Sequence, residues 1–170
     1  MNRAVINTKR LTMVVFLCAQ ARPRWDHNAN QMWDGKIGMW PIGQFQQAAR
    51  ASVNQPRGAP VWHNKKVNKD RYRALLLEKV IPSIKEKWPR QSWNDNRVVI
   101  QIQQDGAKAH ITPDDAEFQQ GLVEQLEVED KILLYTQPAR SPDTNINDLG
   151  FFCALQSSYH GHCPDSGFLT

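Results

Sequence analysis

At 170 residues, with 41% hydrophobic and 22% charged content, the chain fits one soluble globular domain and is long enough to bury a real core. Its net charge of +4 is compatible with a nucleic-acid partner without requiring one. Three scattered cysteines, Cys18, Cys153 and Cys163, exclude a disulfide framework and suit a reduced, intracellular protein; no stretch reaches membrane-spanning length, and no secretion signal is legible.

The first predicted element is the apolar, β-branched run 11–19 (LTMVVFLCA), which suits a strand buried on both faces of a sheet. A polar, turn-rich segment follows, and GKIGMWPI at 35–42 reads as a second strand, so the two form a long-looped antiparallel hairpin. Residues 43–68, with Gly43, Pro56, Gly58 and Pro60, read as a long connection. From Lys69 the period changes: Tyr72, Leu75, Leu76, Val80, Ile84 and Trp88 describe one helix face, kinked at Pro82 and ended by Pro89. RVVIQIQQ at 97–104 alternates as a strand, 114–126 is a short helix starting near Thr112 and Pro113, 131–137 is a buried strand, and a last helix covers about 144–157. That order gives an α/β fold with an antiparallel pair at the front and a parallel half at the back. The stretch 158–170 has neither period nor apolar face and is read as an appendage.

Two carboxylates stand out. Asp105 directly follows the alternating strand, where α/β folds place ligands and metals. Asp148 lies in the first turns of the last helix, one turn from Phe152 and two from Leu155, which aims it at the sheet edge. Together they could clamp a hard divalent cation through oxygen ligands. Aspartates in such positions are also common turn and cap residues, so the pair alone leaves both roles open.

Longer motifs carry more. QQDGAKAHI at 103–111 and QPARSPDTNINDLGFFCALQS at 137–157 resemble the two catalytic blocks of mariner-like transposases, of the forms Asp-Asn-Ala-x-x-His and Pro-x-x-Ser-Pro-Asp-x-Asn-x-x-Asp. FLCAQARPRWD at 16–26, DGKIGMWPI at 34–42 and LLLEKVIPSIKEKWPR at 75–90 resemble the same family in the same order, so the resemblance covers about 10–157. It implies a ribonuclease H-like mixed sheet with flanking helices, and a triad of acidic residues holding two Mg²⁺ or Mn²⁺ ions roughly 3.5–4 Å apart. By position in the motifs Asp105 matches the second acid and Asp148 the third, both catalytic and metal-binding. His110 matches the histidine of the first block, either positioning the strand-to-helix turn or contacting DNA, and Arg140 is a second candidate DNA contact. The implied partner is DNA, without a membrane, with a homodimer allowed in the full-length parent; the implied compartment is the nucleus.

The departures matter as well. The family's first aspartate lies in an Asp-Glu-Lys-Trp-like context on a strand before the hairpin, and no such context precedes 11–19 here. Residues 1–157 are therefore read as a partial catalytic domain lacking the first, central strand, and 158–170 as an unrelated tail. The parent would catalyse metal-dependent DNA cleavage and strand transfer; this chain is expected to be inactive. A non-catalytic nucleic-acid-binding remnant and an ordinary α/β nuclease are the rival readings. Asp26 and Asp34 are expected in turn or cap roles, Gly106 replaces the family's asparagine, and LEVED at 126–130 lengthens the spacing between Asp105 and Asp148. His160, His162 and Cys163 are too crowded to close a zinc site. Basic residues Arg22, Arg24, Arg50, Arg57, Lys65 and Lys66, with Trp25, Trp40 and Trp62 interleaved, could track a DNA backbone or form a solvated loop face. Without the central strand, 11–19 should either pair directly with 97–104 or leave a gap.

Overall fold

The apolar run enters the computed structural model, which describes residues 14–52, 56–89, 99–126, 131–138, 141, 145, 147–151, 154 and 157, as strand β1 (Phe16–Gln20). It pairs antiparallel with β4 (Lys36–Pro41), from Phe16 opposite Pro41 to Gln20 opposite Lys36, with a bulge after Ala19. Just before β4, Gly35 accepts the Ala21 N–H at 2.7 Å; its φ is +78°, and a Cβ there would collide with the Ala21 carbonyl. The hairpin continues through β2 (Arg24–Asp26) and β3 (Gln31–Trp33). Asp26 closes its tip, Oδ1 accepting the N–H groups of Asn28 at 2.9 Å and Ala29 at 3.1 Å. Asp34 accepts the Lys36 N–H at 3.0 Å and pairs with the Lys36 ammonium at 2.8 Å. Both aspartates thus serve the turns, as expected.

Residues 43–68 are more than a connection. They fold into a second ribbon, β5 (Gly43–Gln47) against β6 (Pro60–Asn64), in register from Gly43 opposite Asn64 to Gln47 opposite Pro60. Strand propensity is weak in this glutamine-rich stretch, and the turn supplies what propensity does not. Ala59 N–H reaches the Pro56 carbonyl at 3.2 Å, with Gly58 at φ +83° in the position where a type II turn needs positive φ. Ile42 joins the two ribbons, donating to the Val15 carbonyl at 2.7 Å and accepting from the Lys65 N–H at 3.0 Å.

Asn68 caps the next helix by accepting the Arg71 N–H at 3.0 Å. That helix runs as α1 (Lys69–Leu75), a π turn (Leu76–Val80) and α2 (Ile81–Lys87). The widened turn lies directly before Pro82, whose ring would otherwise press on the carbonyl one turn back. β7 (Ile100–Gln104) pairs parallel with β8 (Ile132–Thr136), and the connection between them holds α3 (Ala116–Gln125). α3 starts later than Thr112 and Pro113, because Asp115 is its cap and accepts the Phe118 N–H at 2.9 Å. A final π turn, Asn147–Phe151, begins the last helix, and Ala154 and Ser157 are helical. Arg140, most of LEVED, His160, His162, Cys163 and the rest of 158–170 lie outside the described residues.

The core joins both halves. Ile37 of β4, Tyr72, Leu76, Val80, Ile81 and Ile84 of the long helix, and Ile100, Phe118, Leu122 and Ile132 of the parallel half form one buried cluster. The α/β class, with an antiparallel front pair and a parallel back pair, is what the structure shows. Among the described residues no ladder joins β1 to β7, so the direct pairing of 11–19 with 97–104 is not seen there. Val14, Val15 and Phe16 are exposed where β1 begins, and Val99 where β7 begins. No helix among the described residues is long and apolar enough to cross a membrane.

Candidate site at the end of the parallel pair

Strand alternation positions the first expected acid. Gln104, the last residue of β7, turns inward and is buried, its amide donating to the Ile111 carbonyl and, at 3.3 Å, to Thr136 Oγ1. Its carbonyl accepts the Gln137 N–H at 2.9 Å, so the strand end is fastened on both sides. Asp105, one residue on, turns the other way and is half exposed at the C-terminal end of the parallel pair.

A tight loop then folds back on that carboxylate. Asp105 Oδ1 accepts the Ala107 N–H at 2.9 Å, and the His110 N–H reaches the Ala107 carbonyl at 2.9 Å. His110 Nδ1 lies 2.9 Å from Asp105 Oδ1 and 3.0 Å from the Asp105 carbonyl. Two acceptors facing one ring nitrogen require that nitrogen to carry the proton, which fixes the tautomer. Tyr72 of α1 stacks on the imidazole, centroids 4.2 Å apart and planes 22° from parallel. Burial, and then the Asp105 charge, push the Tyr72 phenol above its ordinary value, so it remains a neutral platform. His110 therefore holds the turn and the carboxylate through Nδ1. Gly106 is not forced by packing, since a Cβ there meets nothing within 4 Å. The asparagine of the family pattern would fit.

The far end of the same loop is anchored by a cluster that sequence reasoning missed. Arg73, next to Tyr72, makes two 2.8 Å bonds to the two oxygens of Asp115, one of 2.6 Å to Glu117 and one of 3.4 Å to Asp70. The bidentate guanidinium holds the Asp115 carboxyl below its ordinary value, and Asp115 in turn raises Arg73. Adjacent residues of one helix thus hold His110 within the 105–115 loop and Asp115 at its end. The available signal was Asp115 placed one residue before the helix, with Glu117 in its first turn.

The second expected acid, Asp148, lies in the final π turn, and its side chain is outside what is described. Among the described residues no three His, Cys, Asp or Glu side chains gather as a metal site. Asp105 supplies one hard carboxylate, which suits Mg²⁺ or Mn²⁺ by oxygen chemistry but does not make a site on its own. Elsewhere, a groove of about 500 Å³ bordered by Ile42, Lys65, Asn68, Arg71 and Glu78 contains neither of the expected metal-binding acids nor His110. No protein-family model matches the chain, and neither does any curated protein or solved structure.

Proposed function

We propose that the chain is part of the catalytic core of a mariner-like DNA transposase, with Asp105 and Asp148 as two of the acids that hold Mg²⁺ or Mn²⁺. The observation that carries this reading is Asp105 itself. A half-exposed carboxylate ends a parallel strand and is oriented by a histidine five residues on, within the motif whose family role is metal binding. The co-linear blocks over 10–157 and the antiparallel-then-parallel strand order support the same reading. In it, β1–β4 and β7–β8 are the two flanks of one ribonuclease H-like sheet, DNA is the substrate, the nucleus is the compartment, and the parent acts as a homodimer.

Two-metal phosphoryl transfer needs a carboxylate shared between the ions, and Asp105 and Asp148 alone do not supply the complete set. The 170-residue chain should not cleave DNA carrying the parent element's ends in Mg²⁺ or Mn²⁺. Metal-dependent nicking that vanishes in Asp105→Ala would show that this chain holds a complete catalytic set. The second reading, a nucleic-acid-binding remnant without catalysis, is favoured by the absence of any Asp or Glu across 35–69, a stretch with six Lys or Arg residues.

A further inference from the structure

We infer that the β5–β6 ribbon is a DNA-binding arm that lays its polar face in the major groove of duplex DNA. This rests on the transposase reading only for the choice of DNA as the nucleic acid.

The two faces of the ribbon are built differently. On one, Phe45 and Trp62 lie opposite each other, rings edge to face at 5.2 Å, with Gly43 beneath the indole. The Trp62 Nε1–H donates to Asn64 Oδ1 at 2.7 Å, and the same oxygen accepts the Val15 N–H at 3.3 Å. That face stiffens the ribbon and ties it to the start of β1. The other face carries Gln44, Gln46 and His63, all exposed and with no side-chain hydrogen bond among the described residues, beside the half-buried Val61 opposite Gln46. Amides and an imidazole on an open two-stranded ribbon can pair with base edges, and a major groove about 12 Å wide admits such a ribbon.

The charges fit the same occupant. Arg57 lies in the turn and Arg50 shortly after β5, Lys65 and Lys66 follow the base, and none of the four is in an ion pair among the described residues. At about 3.3 Å per residue, β5 from Gly43 to Gln47 covers roughly 13 Å, close to the width of the groove, with Lys65 and Lys66 beyond one end of the ribbon and Arg50 and Arg57 beyond the other. No carboxylate on the ribbon opposes an anionic partner.

The test uses the full chain and a short mixed-sequence DNA duplex, with affinity measured by fluorescence anisotropy across a salt series. Arg50→Ala with Arg57→Ala should weaken binding about tenfold or more and flatten the slope of log K against log salt by about 1.8, or 0.9 per lost phosphate contact. A charge-matched control, Lys79→Ala with Lys131→Ala, should leave the slope close to wild type. Because variants can misfold, the wild-type chain is also treated with phenylglyoxal, and DNA should protect Arg50 and Arg57. Equal weakening in both double variants, no protection of these arginines at saturating DNA, no duplex binding, or tighter binding to single strands would each overturn the proposal. Metal binding lost in Asp105→Asn tests the transposase reading separately, so an arm that binds DNA without metal at Asp105 would refute only that reading.

Discussion

Arg73 on α1 meets three carboxylates, whereas Arg57 at the turn of the β5–β6 ribbon meets none among the described residues. The contrast extends to their surroundings. Around α1, α2 and the 105–115 loop several charges are turned onto the fold: Arg73 holds the α3 cap, His110 holds Asp105, and Lys85 donates to the Gln125 carbonyl at 2.6 Å. In 43–66 basic groups face solvent from a ribbon whose Phe45 is 68% exposed, a degree of exposure that rules out a core role. One region uses its charges to set the geometry of a loop, and the other leaves them available to an anion.

The largest effect that would separate the regions is in the core. Phe118 is fully buried at the centre of the cluster, and Phe118→Ala should cost about 3–5 kcal/mol. Urea unfolding monitored by tryptophan fluorescence should show the midpoint collapse; a loss below about 1 kcal/mol would mean that the cluster is not one cooperative core.

A smaller effect falls on the loop anchor. Asp115→Ala removes a helix cap, costing about 1 kcal/mol from that role, and also strips Arg73 of its bidentate partner. The pH dependence has a definite sign. Since the folded carboxyl lies below its ordinary 3.8, its contribution is fully present above about that pH and is lost as the pH falls through the lower folded value. Thermal melts of wild type and Asp115→Ala should therefore converge in strong acid and stand furthest apart above pH about 4. Curves that stay parallel through that window would contradict the role given to Arg73. At the small end, Arg57→Ala should shift stability by no more than about 0.5 kcal/mol while lowering DNA affinity. A large loss of stability would erase the contrast between the regions.

The front hairpin, the long helix and the parallel pair were legible because their apolar residues repeat at strand or helix period. The β5–β6 ribbon was not, because Gln44, Gln46 and Gln47 give no apolar alternation and the strands are set by one turn around Gly58. Asp105 was legible from its place after a strand. Its hold by His110 could be read only as one of two roles, since spacing cannot say which way a ring nitrogen turns. Arg73 was missed because a charged residue on a helix reads as solvated until its partner, forty-two residues away at Asp115, is brought to it.

The central claim is that Asp105 and Asp148 share one divalent ion at the end of the parallel pair. Titrating the full chain with Mn²⁺ while recording amide resonances tests it most directly. The account predicts that signals of Asp105, His110 and Asp148 broaden together at the lowest metal, and that Asp105→Asn abolishes the effect at Asp148 as well. Broadening at Asp105 without Asp148, or broadening at Asp148 that survives Asp105→Asn, would contradict it.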